Sequence, residues 1–516
     1  MMTPGMLRFE LLSTPAEDHA LLIEPPAGRW AELLEQGLAR QERTDLCLAG
    51  IGVSQLRAEV RRRLGLPVTV PVVATGHQPE LIHPGVWAKE VAVALATRRL
   101  AATGFNLIVD HDAPSSWSLV LPRVGADGLV QLRDLPLGQA AAGSAYEGRP
   151  ALTAGQIDTL IAAVGDQPAD GLIHEYLAGL RACENPRDWV EQHLCARDRV
   201  DRPLLDPLPA RRAGEVFGGA FVAELLLNAE RFARSYNGAL AWYRREQGIR
   251  SPRRPLPDLG IEAGRVETAL WIYRPGERRR RLWLEARAGG LGVLADEAPV
   301  GFLDAAGLRH DADAALGGLA PWVVRPRALV LTLWARLLAC DLFIHGIGGA
   351  KYDRITDRIF EDYFGCLPPP YACVSATLRL PLPADAGAQA GLAEARRRAR
   401  DLFYNPQRYL TSPEPALIGR RAALIAESAA LSRQGGARGD RRRVWAGLRE
   451  VNRLLLEGEP EVAARLELEL EAAARRATSA RTASSREYFY ALQPRERLER
   501  LRAALEAAME GPVAGT

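Results

Sequence analysis

The sequence has almost no lysine: of 66 basic side chains in 516 residues, 64 are arginine, and Lys89 and Lys351 are the exceptions. Under a codon pressure that converts lysine to arginine, the two survivors become candidates for function. A compact ammonium on a flexible stem follows a phosphate or carboxylate as a point charge, which a planar guanidinium does not reproduce everywhere. Cysteine is sparse too. Cys47, Cys183, Cys195, Cys340, Cys366 and Cys373 show no C-x-x-C and no framework spacing, so reduced structural thiols are expected rather than a disulfide scaffold. Long apolar runs are missing: the longest, Leu329 to Ile344, is interrupted by Arg336 and Asp341 and reads as a buried helix running into a strand, not a membrane span. An excess of one charge is missing as well, because 66 basic against 63 acidic groups leave +3, which excludes the footprint of a dedicated nucleic-acid binder. Residues 1–22 carry no basic cluster followed by an apolar run and a small-residue cleavage site, and a cytoplasmic location is expected.

What remains is an ordinary globular composition, 47% hydrophobic and 25% charged, in a chain long enough for several packed units. Residues 1–65 read as an extended segment followed by a helical arm. Residues 66–385 alternate short β-branched runs with helical stretches, the pattern of an α/β fold whose parallel sheet is covered by helices. Residues 386–516 are rich in Ala, Leu, Arg and Glu at helical spacing and read as a separate, coiled-coil-like helical domain. Within it, Arg441–Leu456 and Pro460–Thr478 are expected to form an antiparallel hairpin, and Gly435 to Gly439 a turn. The run Glu277 to Arg281 reads as the solvated tip of a β-hairpin.

Three strand ends carry chemistry. The first runs from Val68 through Thr75, Gly76, His77 and Gln78 to Pro84 and Lys89; Gly76 permits a sharp exit from the strand, and Pro84 suits the first turn of an anion-attracting helix. The second ends in Asp110, His111 and Asp112. A strand, helix and strand in succession make a parallel crossover, which puts both ends at the carboxyl edge of the sheet, where open α/β sheets bind ligands. Alternation along the chain lets at most two of the D-H-D side chains converge. No second cluster has ligand spacing, and no metal is expected. The third end runs from His345 through Gly346, Gly348 and Gly349 to Lys351 and Asp353; its glycines allow backbone N–H groups to form an anion-binding nest. G-x-G-x-x-G, P-loop and G-x-S-x-G patterns are all absent.

Gly76-His-Gln78, Gly85, Lys89, Asp110-His-Asp112 and the long helical C-terminus resemble the cysteine ligase family of bacillithiol biosynthesis. His77 stands where that family usually has glutamine, Val109 where it has glutamate, and the turn after His345 replaces a different glycine-rich turn. The resemblance implies a Rossmann-like core with inserted pieces, a C-terminal coiled-coil domain used for homodimerisation, a nucleotide site for ATP or ADP, and addition of cysteine to the amine of glucosaminyl malate.

The expected function is therefore a carbon–nitrogen ligase or related acyl-transfer enzyme acting on an amino acid and an amine acceptor. Thr75, Gly76, Gln78, Lys89, Gly346, Gly348, Gly349, Lys351 and Asp353 are the expected ligand-binding residues. His77, His111, Asp110, Asp112 and His345 are the expected catalytic ones, with His111 or His345 as the base. Two alternatives stay open: a non-catalytic nucleotide-binding or small-molecule-binding scaffold, and a nucleotidyl transferase.

Overall fold

The computed structural model describes residues 9–42, 45–165, 171–435 and 437–510. It is a mixed α/β protein built as two compact units. The larger comprises residues 1–121, 134–379 and 486–516; the smaller comprises 122–133 and 380–485. These bounds differ from the expected division: residues 122–133, expected in the α/β core, fall in the smaller unit, and both ends of the chain fall in the larger one. The N-terminal segment is no separate arm, because Leu21–Glu24 is the edge strand of the main sheet and pairs antiparallel with Tyr371–Ala376. The last helix, Arg495–Glu510, also belongs to the larger unit, where its stripe of Leu498, Leu501, Leu505 and Met509 is buried and packs on the helix Pro84–Arg99.

The main sheet has six strands in the order Leu21–Glu24, Tyr371–Ala376, Leu342–His345, Val72–His77, Thr103–Ile108 and Ala210–Arg212. All but the first are parallel. Numbered along the chain, the five parallel strands lie in the order 3-2-1-4-5. The order reverses between Val72–His77 and Leu342–His345, so the connections leave these two neighbours in opposite directions and open a crevice at their carboxyl ends. Both are buried apolar runs, as strands covered on two faces must be. The helix Pro84–Arg99 makes the first crossover and is buried along nearly all of its length. It closes onto the second parallel strand at Gly104, where a Cβ would lie 2.6 Å from Thr97 Cγ2 and 2.9 Å from Val93 Cγ1.

Between the third and fourth parallel strands the chain inserts a second, antiparallel sheet, ordered Ala298–Asp304, Gly290–Ala295, Arg280–Arg287, Arg265–Tyr273 and Val323–Pro326. One apolar cluster joins it to the main sheet, from Val72, Phe105 and Phe343 through Trp334 to Leu270 and Leu284. The segment read as helix into strand is the helix Ala328–Trp334, a π turn over Ala335–Ala339, and the strand Leu342–His345.

In the smaller unit the helices are Ala388–Tyr404, Pro415–Gln434, Arg438–Gly458 and Pro460–Ala483. Arg438–Gly458 pairs with Pro415–Gln434, and Pro460–Ala483 pairs with Ala388–Tyr404. The expected hairpin between the two longest helices is not the main pairing. One residue, Glu459, separates them, and a single residue is too short a link for the chain to reverse. The reversal occurs at Gly435 instead, whose φ of +68° gives the left-handed cap that glycine adopts freely.

At the start of Leu342–His345, Asp341 is buried between two guanidinium groups, 2.5 Å from Arg57 Nη2 and 2.6 Å from Arg61 Nη2, and it accepts the Val72 N–H at 2.7 Å. Removing one partner of a buried charge cluster leaves the others uncompensated. Asp341→Asn is expected to lower the unfolding free energy by about 3–5 kcal/mol, read as a lower urea midpoint with an unchanged slope.

Candidate active site

The crevice at the carboxyl ends of Val72–His77 and Leu342–His345 is a cavity of about 650 Å³. Gly76, His77 and Gln78 reach it from the first strand end, His111 and Asp112 from the second, and His345, Gly346, Gly348 and Gly349 from the third. Lys89 enters from one turn inside the helix Pro84–Arg99. Sequence-distant segments thus meet at one rim.

Lys89 is 3% exposed, and its Nζ donates to the Gly76 carbonyl at 2.9 Å. No carboxylate lies within ion-pair distance of it among the described residues. Its neighbour Glu90 is held by Arg197, at 2.6 Å and 3.1 Å, and by Asn106. Burial lowers the Lys89 pKa to about 8. Opposite it, the helix Ile347–Ile359 begins with Gly346 as its N-cap and with no side chain capping it. Its first intrahelical bond runs from the Ala350 N–H to the Gly346 carbonyl, so the N–H groups of Ile347, Gly348 and Gly349 belong to the unpaired first turn. The glycines read as a nest are therefore the start of a helix, which presents the same positive end to the cavity.

The D-H-D triplet lies past the end of its strand, Thr103–Ile108, and strict alternation does not hold there: the neighbours His111 and Asp112 both line the cavity, and Asp110 does not. Asp112 accepts from Arg279 at 2.5 Å, from Gln78 at 2.8 Å and from the Ala113 N–H at 2.9 Å. Burial opposes its ionisation, but these donors hold its pKa below the usual carboxylate value. Asp110 turns the other way, accepting from Arg212 at 2.8 Å and the Gly214 N–H at 2.8 Å. Burial alone would raise its pKa; His111 and Arg212 bring it to about 2. His111 Nδ1 lies 3.8 Å from Asp110 Oδ1, beyond a hydrogen bond.

Three expected ligand residues do not line the cavity. Thr75 is buried within the sheet and donates to the Ile344 carbonyl at 2.8 Å, tying the first and fourth parallel strands together. Lys351 is half-buried on the helix Ile347–Ile359, whose phase carries it away from the rim. Asp353 is 2% exposed and bonds His345 Nε2 at 2.9 Å and Arg336 Nη1 at 2.6 Å. It acts beneath the cavity wall rather than on a ligand.

The structure also supplies residues that sequence reasoning missed. His83 caps the helix Pro84–Arg99, its Nδ1 accepting the Gly85 N–H at 3.1 Å. Arg486, reached only after the chain returns from the helical unit, donates to the Ala376 carbonyl at 2.8 Å. Arg279, expected in a solvated turn, lines the cavity instead. It and Arg327 lie over the Trp271 ring at 4.9 Å and 4.3 Å. His83 stood beside Pro84 as a recognisable cap; no local signal marks Arg486 or Arg327. Lys89, Arg279, Arg327 and Arg486 against Asp112 make the lining cationic. Among the described residues no three His, Cys, Asp or Glu side chains converge as a metal site, and no helix is long and apolar enough to cross a membrane.

No protein-family model matches the chain, and no curated protein matches it.

His77 and His83 bring a measurable pH dependence. Burial, followed by nearby positive charge, lowers their pKa values to about 3 and about 4 from 6.5. Between the ordinary and the lowered values the unfolded chain binds more protons than the folded one, so stability falls as pH drops from about 6.5 toward 3–4, by at most about 1.4 kcal/mol per pH unit for each group. Urea unfolding across this range should show a flatter acid limb for His77→Gln and for His83→Asn than for the wild type.

Proposed function

We propose that this chain is a small-molecule enzyme of Rossmann-like, doubly wound architecture that joins an amino acid to an amine acceptor, using a nucleotide or other phosphorylated ligand. It is a carbon–nitrogen ligase in this reading, and its resemblance to the cysteine ligases of bacillithiol biosynthesis makes cysteine and glucosaminyl malate the first substrates to try. The observation that carries the reading is the buried ammonium of Lys89, without a carboxylate partner among the described residues, at the reversal of strand order and across from the open first turn of Ile347–Ile359. A buried cation without a counter-charge is costly, and an anionic ligand offsets that cost.

Amide formation requires an activated carboxyl group and an amine that has lost its proton. In this proposal Lys89 and the N–H groups of Gly348 and Gly349 hold phosphate or carboxylate oxygens. Arg486 and Arg279 add positive charge at the rim, and Gln78 and Asp112 orient a polar part of the ligand. A histidine on the cavity wall takes the proton from the attacking amine. The apolar side, with Leu331, Leu256 and Tyr236, shields the reacting groups from water.

Calorimetric titration of ATP, ADP and cysteine into wild type, Lys89→Met and Lys351→Met tests the proposal. Nucleotide affinity should fall at least about tenfold in Lys89→Met, about 1.4 kcal/mol, and stay unchanged in Lys351→Met. Equal affinities in all three proteins would remove Lys89 from the site. Mass spectrometry of mixtures with cysteine, glucosaminyl malate and ATP should reveal a ligated product. Binding without product would favour the scaffold, and pyrophosphate release without ligation a nucleotidyl transferase.

A further inference from the structure

We propose that His345 is the proton acceptor of this cavity, acting through Nδ1, and that Asp353 is a positioning residue that fixes the imidazole as its Nε2–H tautomer. The inference rests on the reading of the cavity as an active site and deepens it by choosing among the histidines.

The choice follows from where each lone pair goes. His83 Nδ1 accepts the Gly85 N–H, so neutral His83 carries its hydrogen on Nε2 and has no free lone pair. His77 Nδ1 lies 3.2 Å from the Gln78 carbonyl, which only accepts, so Nε2 keeps a lone pair; but the ring is held by a neutral carbonyl with no carboxylate among the described residues in hydrogen-bonding distance to stabilise its protonated form, and burial with the Lys89 charge makes it a very weak base. His111 Nδ1 is buried without a hydrogen bond, and Asp110 is spent on Arg212 and Gly214, so nothing fixes its tautomer.

His345 is distinguished by its partner: it has a carboxylate within hydrogen-bonding distance of one ring nitrogen, which none of the other three has among the described residues. Its Nε2 lies 2.9 Å from Asp353 Oδ2, and Arg336, itself 1% exposed, holds the same carboxylate oxygen at 2.6 Å. Asp353 stays ionised between them and can only accept, so Nε2 carries the hydrogen and Nδ1 keeps its lone pair. Among the described residues Nδ1 has no protein partner. Phe343 and Tyr371 hold the ring at centroid distances of 4.6 Å and 5.3 Å. Nδ1 abuts Gly349, where an added Cβ would come within 2.7 Å of it, so glycine keeps this nitrogen uncovered. The charged and titratable groups around the ring are Asp353 on the following helix, Arg336 on the π turn, Tyr371 on the neighbouring strand and Lys89 across the cavity. Burial lowers the His345 pKa from 6.5, which leaves the imidazole neutral at pH 7. In the step assigned to it, the N–H bond of the attacking amine breaks, the proton passes to Nδ1, and the electron pair stays on the amine nitrogen.

Two measurements on the full chain test this without knowledge of the substrate. Long-range proton–nitrogen correlation spectra of protein labelled in its eight histidines, assigned by His345→Asn, should show His345 as the Nε2–H tautomer at pH 7.5. Asp353→Glu should keep that signature, and Asp353→Asn should mix the tautomers. Diethyl pyrocarbonate, which acylates free imidazole lone pairs, should modify His345 at least tenfold faster than His83, with a tenfold loss in Asp353→Asn and recovery in Asp353→Glu. An Nδ1–H tautomer or an imidazolium in the wild type, or a His345 that resists the reagent while His111 reacts, would overturn the assignment. If both results hold and no ligated product forms, only the ligase reading falls.

Discussion

Val72–His77 and Leu342–His345 are far apart along the chain, yet they pair in register, Leu342 opposite Val73 and Ile344 opposite Thr75. The cavity exists because of that pairing. The crossovers leave these two strands in opposite directions, so their carboxyl ends are left uncovered by either connection. The Thr75 hydroxyl strengthens the join through its bond to the Ile344 carbonyl, and Asp341 fixes the opposite end by accepting the Val72 N–H. Every residue on the rim depends on this register, since a shift of one position would turn the alternating side chains to the other face.

Charge is distributed unevenly around that frame. Asp341 lies between Arg57 and Arg61, Asp110 is paired with Arg212, and Asp353 lies between Arg336 and His345. These buried carboxylates are matched by cations held in place, which keeps the desolvation cost from going uncompensated. Lys89 is the contrast, a buried cation satisfied only by a backbone carbonyl among the described residues. The mismatch points into the cavity, alongside the open helix terminus, and it separates the residues that build the wall from those that meet a ligand.

Much of this site was legible in the sequence. Gly76, His77, His111, Asp112, His345 and the glycines that follow sit at or just past strand ends, which short apolar runs bounded by turn residues reveal; Lys89 sits on the crossover helix between the first two, and a parallel crossover dictates which edge they share. What was not legible depended on phase and on long-range return. Whether Gly346–Gly349 formed a loop or a helix start decided where Lys351 and Asp353 would point, and the helical phase put one away from the rim and the other beneath it. Thr75 faced a neighbouring strand whose identity spacing could not reveal. Arg486 and Arg327 come from segments whose proximity only the fold creates. In the helical unit, Ala, Leu, Arg and Glu at helical spacing marked the helices, but spacing does not reveal partners: Ala388–Tyr404 packs on Pro460–Ala483, with two helices between them in sequence.

Whether the cation-lined cavity receives an anionic ligand at the reversal of strand order can be read from anomalous diffraction of crystals soaked in selenate. A selenium peak is expected beside Lys89, placed so that a selenate oxygen accepts from Nζ, facing the first turn of Ile347–Ile359, and it is expected to be lost in Lys89→Met. Selenate bound only at surface arginines, with none beside Lys89, would contradict an anion site in the cavity.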